Sequence, residues 1–425
     1  MKELKDLIRN RVIDFNDSYS KEMKELHTKA IIAASAGDSQ AKIYLKEMIR
    51  LRLIQYDRKY LDPLVADPLV DEIFGENWGL GKLEQYDKPD IDEVMVVGTS
   101  ISYEKRGKIY KSPDSFESEE EVVNIIRRLL EYDNSVDISS TNPARSGERK
   151  NGDRVTAAIP PVAKYVTLNI RKFDSFVPKT EDLLKSGTIT EEMVKTVDIL
   201  IRGKANIKIV GEMGSGKSTF LKWAIGFCPE GERVGILETD FELNPDRWYP
   251  HLDFVQLRER AQINKTLSNL FEVMLRQNLK RVILGEMRNG LEIYQFLYAC
   301  TRGLSGSIGT SHSMSAENVL DDDAGMIVEA NLSRDKQETK KDLASAIDIV
   351  MTFRKLPSGK RVCFKMEEVM KTETGYDIKT IYQYDYDENK LEDGVHRQVN
   401  KVSDLLRSKL NAYGVTKSEI NAVLG

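Results

Sequence analysis

The sequence predicts an α/β protein: a largely parallel sheet with helices on both faces, preceded by an α+β domain and flanked by helical extensions at both ends. Three observations carry this. Beyond residue 205, short apolar runs alternate with amphipathic stretches: strands at 205–210, 234–237, 282–284 and 307–310, helices at 219–225, 267–276 and 292–300. Such alternation implies crossover connections and therefore parallel strands. Between 61 and 178 the pattern is that of short strands around one strongly amphipathic helix. Both ends of the chain read as charged helices.

Taken in order, residues 1–60 form an N-terminal helical extension. Leu4, Leu7, Ile8, Val12 and Ile13 give one apolar stripe, and Ala41, Leu45, Met48, Ile49 and Leu53 another. In the α+β domain at 61–178, Asp92–Val97 and Ile101–Glu104 read as strands, and Lys105-Arg106-Gly107-Lys108 reads as a hairpin turn. Ser118 with Glu121 opens the helix that carries Val122, Ile125, Ile126, Leu129 and Leu130. Gly147 to Gly152 reads as a polar loop, and strands follow at 154–159 and 166–170, broken by Pro160-Pro161. Residues 179–189 read as a linker, with Thr188 and Glu191 capping the next helix. The α/β domain spans 190–395. The tail at 396–425 reads as two helices around Gly414, the second capped by Thr416 and Glu419.

Composition narrows the class. The chain has 425 residues, 31% of them charged, and a net charge of −5, so no global basic field points to nucleic-acid binding. Cys228, Cys300 and Cys363 are scattered and odd in number, as expected for reduced core thiols in a cytoplasmic protein. His27, His251, His312 and His396 are too dispersed for a His/Cys metal site. No window of eighteen apolar residues is present, and Met1 to Asp6 is unlike a signal peptide.

One stretch organises the chain: Gly211-Glu212-Met213-Gly214-Ser215-Gly216-Lys217-Ser218-Thr219. It fits G-x-x-x-x-G-K-[ST], lying between a β-branched strand and a helix. Glycines let backbone N–H groups crowd around phosphate oxygens. The lysine reaches β- and γ-phosphates, and the Ser218 hydroxyl can ligate Mg²⁺. This is the expected site for a nucleoside triphosphate.

Two apolar strands downstream end in carboxylates. Glu286, closing Arg281–Gly285, is placed to orient or deprotonate an attacking water. Glu238, closing the strand at 234–237, is placed to hold Mg²⁺ through water. His312 follows Ser307–Ser311 at the end of a third strand, where both a γ-phosphate sensor and a structural histidine fit.

Together these motifs resemble the type II/type IV secretion and pilus-assembly traffic ATPases, most closely the CpaF-like tight-adherence branch. In the first domain the resemblance is carried by Gly79–Glu84, Asp92–Gly98, Gly152–Val155, Ile159–Pro161 and Ile170–Phe173. In the second it is carried by the phosphate loop, Glu238–Leu243 as an aspartate box, Gly285–Arg288 as Walker B, Thr310–His312 as a histidine box, and Ala344–Asp348. The sequence departs from the family pattern at Thr239, where an aspartate is usual, and at Gly303–Gly306. It also carries one extra residue between Arg288 and Glu292.

The resemblance implies a RecA-like P-loop ATPase domain preceded by a PAS-like domain, assembled as a homo-hexamer. ATP and Mg²⁺ would lie between the two domains. Arg154 and Arg171 match the N-domain arginines that reach the phosphates, and Arg260 and Arg288 fit further arginine positions. His312 becomes a site residue. The implied setting is cytoplasmic, peripheral to the membrane through a platform protein, with ATP hydrolysis driving pilus assembly or protein secretion. A conjugative DNA-transfer motor and a non-hydrolysing nucleotide-dependent scaffold are the alternatives.

Overall fold

The computed structural model describes residues 2–13, 20–35, 37–88, 90–105, 108–130, 138–149, 151–172, 177–260, 263, 265–373 and 375–425. Arg106 and Gly107 of the expected hairpin turn, Lys150 of the expected loop, and Phe173 lie outside them. The chain divides into two compact units, Met1–Ser175 and Phe176–Gly425.

The first unit opens with helices α1 (Lys2–Ile13), α2 (Lys21–Ser35), α3 (Ser39–Tyr56) and α4 (Pro63–Asn77). The stripe Leu45, Ile49 and Leu53 on α3 packs with Ile8 and Val12 of α1 and with Val70, Ile73 and Phe74 of α4. The helical segment therefore extends beyond residue 60. α4 supplies much of the apolar surface that α1 and α3 bury, so the three form one small core.

The rest of this unit is a sheet of β1 (Glu93–Val97), β2 (Ser100–Lys105), β3 (Lys108–Ser115), β4 (Ala144–Glu148), β5 (Arg154–Ala158) and β6 (Thr167–Arg171). Helix α5 (Glu119–Leu130) is inserted between β3 and β4. Strand order is β3-β2-β1-β6-β5-β4, with antiparallel neighbours throughout. The expected loop from Gly147 is in its first part β4, which pairs with β5 from Ala144↔Ala158 to Glu148↔Arg154. Its polar residues mislead because β4 is an edge strand, where a polar face costs little. α5 lays Val122, Ile125, Ile126 and Leu129 into the apolar layer formed by Val94, Val96, Val155, Leu168 and Ile170.

The second unit begins with α6 (Thr180–Lys185), inside the segment expected to be a linker. Leu183 is buried in the unit's main core, and the Thr188 hydroxyl donates to the Arg361 carbonyl at 2.9 Å. The cap of α7 (Glu191–Arg202) is Thr190, whose hydroxyl accepts from Met193 N, and not Thr188.

There follow β7 (Ile207–Gly211), α8 (Lys217–Ile225), β8 (Arg233–Glu238), β9 (Asp253–Arg258), α9 (Leu267–Met274), β10 (Arg281–Met287), α10 (Gly290–Thr301), β11 (Ile308–Ser311), α11 (Ala316–Glu329) and α12 (Lys336–Ala346). The chain closes with β12 (Ile349–Lys355), β13 (Arg361–Lys371), β14 (Tyr376–Asp387), β15 (Lys390–Gln398), α13 (Asp404–Ala412) and α14 (Lys417–Leu424). Among the described residues these strands form one sheet, ordered β15-β14-β13-β12-β7-β11-β10-β8-β9. The six from β12 to β9 run parallel, while β13, β14 and β15 add on antiparallel.

Both faces are covered. One buries Ile207, Ile209 and Ile236 with Phe220 and Leu221 of α8 and with α7, α13 and α14; the other buries Val210, Val282 and Leu284 with Phe296 of α10, Leu320 of α11 and with α9 and α12. The tail at 396–425 is part of the first layer. Val402, Leu406, Leu410, Val415, Ile420 and Leu424 are all buried in it, and Leu410 packs against Gly203 at the end of α7. Thr416 and Glu419 make the reciprocal cap that opens α14.

Candidate functional site

The site is assembled at the carboxyl ends of β7, β8, β10 and β11, where parallel strands leave a shared crevice. β7 ends in Gly211, and the loop to α8 turns through Gly214 and Gly216, with φ of +72° and +97°. These left-handed conformations favour glycine, which explains the two residues there. Gly211 allows a different contact: a Cβ at this position would run into the Phe353 carbonyl of β12. Ser218 and Thr219 lie in the first turn of α8, half-buried, where unpaired backbone N–H groups and the helix dipole favour anions. Glu212 and Met213 face outward, Met213 at 85% exposure.

Lys217 folds over this loop. Its Nζ donates to the carbonyls of Gly211 at 2.8 Å and Glu212 at 2.9 Å, and lies 3.4 Å from His312 Nδ1. His312 Nε2 in turn stands 2.7 Å from Glu286 Oε1. The ring thus stands between an ammonium, which has donors only, on its Nδ1 side and a carboxylate acceptor on its Nε2 side. Burial pulls the Lys217 ammonium below lysine's usual range, opposed by the Glu286 charge.

Glu286 has two partners. Its Oε2 accepts from Arg288 Nε at 2.7 Å and Arg288 Nη2 at 2.6 Å. Burial pushes the carboxyl up, but Arg288 and His312 outweigh it and hold Glu286 below the usual range. It is therefore a carboxylate at neutral pH. The Arg288 Nη2 also donates to Thr239 Oγ1 at 3.0 Å, so the hydroxyl at the altered position of the aspartate box steadies the guanidinium.

Glu238 is a different kind of acid, 3% exposed at the end of β8. Oε1 accepts from the backbone N–H groups of Glu242 and Leu243, both at 3.0 Å, while Oε2 is buried without a hydrogen-bond partner. Burial raises this carboxyl to about 7, against the two N–H donors. Its fit depends on Gly285 of β10, where a Cβ would stand 2.9 Å from Glu238 Cγ. Ser215 Oγ in the loop and Ser311 Oγ at the end of β11 are likewise buried and unpartnered. Buried polar atoms are nearly always satisfied, so an unpartnered one in the loop itself, such as Ser215 Oγ, is open to a polar guest.

The matching family model, described as "Type II/IV secretion system protein", covers residues 115–397, more than half of the chain. The chain belongs to the type II/IV secretion system protein family. The type IV secretion system protein PtlH of Bordetella pertussis is 28% identical over 208 residues, 43% of this chain and 61% of that protein. VirB11 of Bartonella henselae is 26% identical over 290 residues, 59% of this chain and 79% of that one. The conjugal transfer protein TrbB of Rhizobium radiobacter is 26% identical over 224 residues, covering 52% and 66%. The chain thus spans less than two thirds of the length of PtlH and of TrbB. Among solved structures, the Yersinia pseudotuberculosis ATPase DotB superposes with a TM-score of 0.51 at 15% identity, over 69% of this chain and 78% of that one. That likeness concerns the fold.

In this type II/IV secretion family member, Lys217, Ser218, Glu238, Glu286 and His312 are drawn into one crevice of the second unit. Arg154 and Arg171 belong to the first unit, where they face each other as Cα partners on β5 and β6. Like charges directly opposite one another cost stability, so the pairing needs a compensating partner. Glu93 lies across from Arg171 and Glu148 across from Arg154 on the neighbouring strands.

Glu292 is a residue that the sequence reading passed over. It is 7% exposed, and its Oε2 accepts from the Arg288 backbone N–H at 2.6 Å while Oε1 accepts from Asn289 Nδ2 at 2.8 Å. It fixes the turn that aims Arg288 at Glu286. The signal was an acid three residues after Asn289, the cap of α10.

Proposed function

We propose that this chain hydrolyses ATP to ADP and phosphate with Mg²⁺, and that the cycle powers pilus assembly or protein secretion at a membrane-embedded machine. The reading rests on the chain Lys217–His312–Glu286 beside the phosphate loop. It joins the phosphate-binding cation to an ionised carboxylate placed to handle water.

The residues present fit the ligands. The left-handed backbone at Gly214 and Gly216 opens the loop's N–H groups to phosphate oxygens, and the unpartnered Ser215 Oγ and Glu238 Oε2 await polar neighbours. Ser218 would hold Mg²⁺ directly and Glu238 through water; the bound ion would neutralise charge on the β- and γ-phosphates. Glu286 orients the attacking water and takes its proton. His312 reports the state of the terminal phosphate to that carboxylate, since one ring links it to Lys217. Arg154 and Arg171 would bring charge from the first unit, which we read as PAS-like, to a RecA-like second unit. A homo-hexameric ring at the cytoplasmic face, docked on a platform protein, is the assembly proposed.

The test is ATP turnover of the purified chain at several concentrations, beside Glu286→Gln and Lys217→Ala. Turnover that rises with assembly and vanishes in both variants supports the reading. Nucleotide binding without turnover in the wild type points to a non-hydrolysing scaffold instead. The likeness to TrbB, named for conjugal transfer, favours a DNA-transfer motor as the second reading. A relaxase gene beside this one would select it, and pilin genes would reject it.

A further inference from the structure

We infer that Arg361 contacts the nucleotide, holding its α-phosphate and ribose end on the side of the loop opposite the catalytic carboxylate. The inference rests on the ATP reading given above. In the sheet order, the loop strand β7 has β11, β10 and β8 on one side and β12 and β13 on the other. The first side carries His312, Glu286 and Glu238, and there Lys217 turns toward His312. A terminal phosphate engaged with that cluster leaves the remainder of the nucleotide to extend toward β12 and β13.

Arg361 is the first residue of β13 and stands where that remainder would pass. Its Nε donates to the Gly214 carbonyl at 2.9 Å. Its stem covers Gly216, where a Cβ would sit 3.0 Å from Arg361 Cδ. The backbone beneath it is pinned from three directions. Lys355 pairs with Arg361 across the hairpin, Leu356 N donates to the Lys360 carbonyl at 2.7 Å, and the Thr188 hydroxyl donates to the Arg361 carbonyl at 2.9 Å. Lys360 is itself held, with Nζ at 3.2 Å from the Tyr384 hydroxyl.

One donor of the guanidinium is thus spent on orientation. The Nη1 and Nη2 groups have no hydrogen-bond partner among the described residues, and no carboxylate there pairs with them. An arginine aimed by its Nε, with its fork unspent, beside a loop built for anions suits phosphate oxygens and ribose hydroxyls. Lys217 and Arg361 then grip opposite ends of the same ligand.

The bland alternative is that Arg361 only props the loop through Gly214. Arg361→Gln separates the two, because glutamine keeps a stem over Gly216 and an amide donor but loses the charged fork. We would measure equilibrium binding of ADP and ATP, and displacement by inorganic pyrophosphate, for wild type, Arg361→Gln and Arg361→Ala. Loss of a charge-assisted contact predicts about tenfold weaker ADP and ATP binding, equal for the two, in both variants. Pyrophosphate, which occupies the Lys217 end alone, should bind unchanged. Pyrophosphate weakening in step with ADP would reduce Arg361 to a prop, and unchanged ADP affinity in both variants would overturn the inference outright. A wild type that binds neither ADP nor ATP would refute the nucleotide reading itself. Thermal melts within about 2 °C of wild type, the scale of a small stability change, show that both variants fold.

Discussion

His312 Nε2 lies 2.7 Å from Glu286 Oε1, and the other nitrogen of the same ring faces Lys217 Nζ at 3.4 Å. A phosphate that draws the lysine away alters what the ring can donate, so the carboxylate senses the terminal phosphate through one side chain. Replacing Glu286 by Gln keeps the shape and removes the base. We expect nucleotide affinity within about threefold of wild type and turnover lowered about 10²- to 10⁴-fold. Steady-state kinetics with a binding isotherm on the same preparation check this, and full activity would exclude Glu286 as the base.

His312→Ala should act differently. The loop and Lys217 keep two carbonyl contacts, so binding persists, while turnover falls by a smaller factor than in Glu286→Gln. In a double variant the two losses should not add, because both residues act on one water. Additive losses measured in the four-member cycle would separate their roles.

The pH dependence centres on Glu238, whose carboxyl burial raises to about 7 from 4.5. Between those values the folded state binds more protons than the unfolded, so this group's contribution to stability is full at low pH and is lost as pH rises from 4.5 through 7. The full loss is roughly 3 kcal/mol. Glu238→Gln should therefore gain stability relative to wild type between pH 5 and pH 8 when nucleotide-free. Urea unfolding at the two pH values checks the sign. Activity should rise through pH 7 as Glu238 ionises, and the variant should lose that limb.

Gly285 is required by its neighbour. A Cβ there meets Glu238 Cγ at 2.9 Å, closer than side-chain atoms settle. Gly285→Ala should cost about 1–3 kcal/mol through displaced packing and shift the pH limb assigned to Glu238. A wild-type pH profile in a folded Gly285→Ala protein would show that Glu238 tolerates the methyl group without moving.

Leu410 on α13 is fully buried with Leu406, Ile420 and Leu424 in the layer that also holds Ile207 and Ile209 of the loop strand. Leu410→Ala should destabilise the second unit by about 2–5 kcal/mol in denaturant unfolding. Removal of 402–425 should unfold it, because the opposite wall of that layer disappears. A truncated chain with native nucleotide affinity would show that the loop does not depend on the tail.

How much of this was legible in the chain differs between local and distant relations. The phosphate loop declares itself because its chemistry is contiguous: glycines, lysine and hydroxyl must follow one another for one loop to wrap one anion. The strands ending in Glu238 and Glu286 were readable because a parallel strand buried on both faces is a continuous apolar run. Strands β14 and β15 were missed because they are largely polar and partly exposed, β13 because its buried run includes the acids Glu367 and Glu368, and α6 because a six-residue helix leaves too short a period to detect.

The sequence by itself determined the α/β class, the anion-binding loop and the candidate acids, since each depends on residues within one strand, turn or helix. Tertiary structure decided the rest. It set which nitrogen of His312 meets Glu286, why Glu238 is held near neutral pH while Glu286 stays ionised, and that Thr188 and the last helices belong to the core around the loop. It also placed Arg361, 147 residues from Gly214 in sequence, against the loop carbonyl. Burial, protonation and hydrogen-bond partnership are properties of neighbours brought together by strand order, and no local window of the chain contains them.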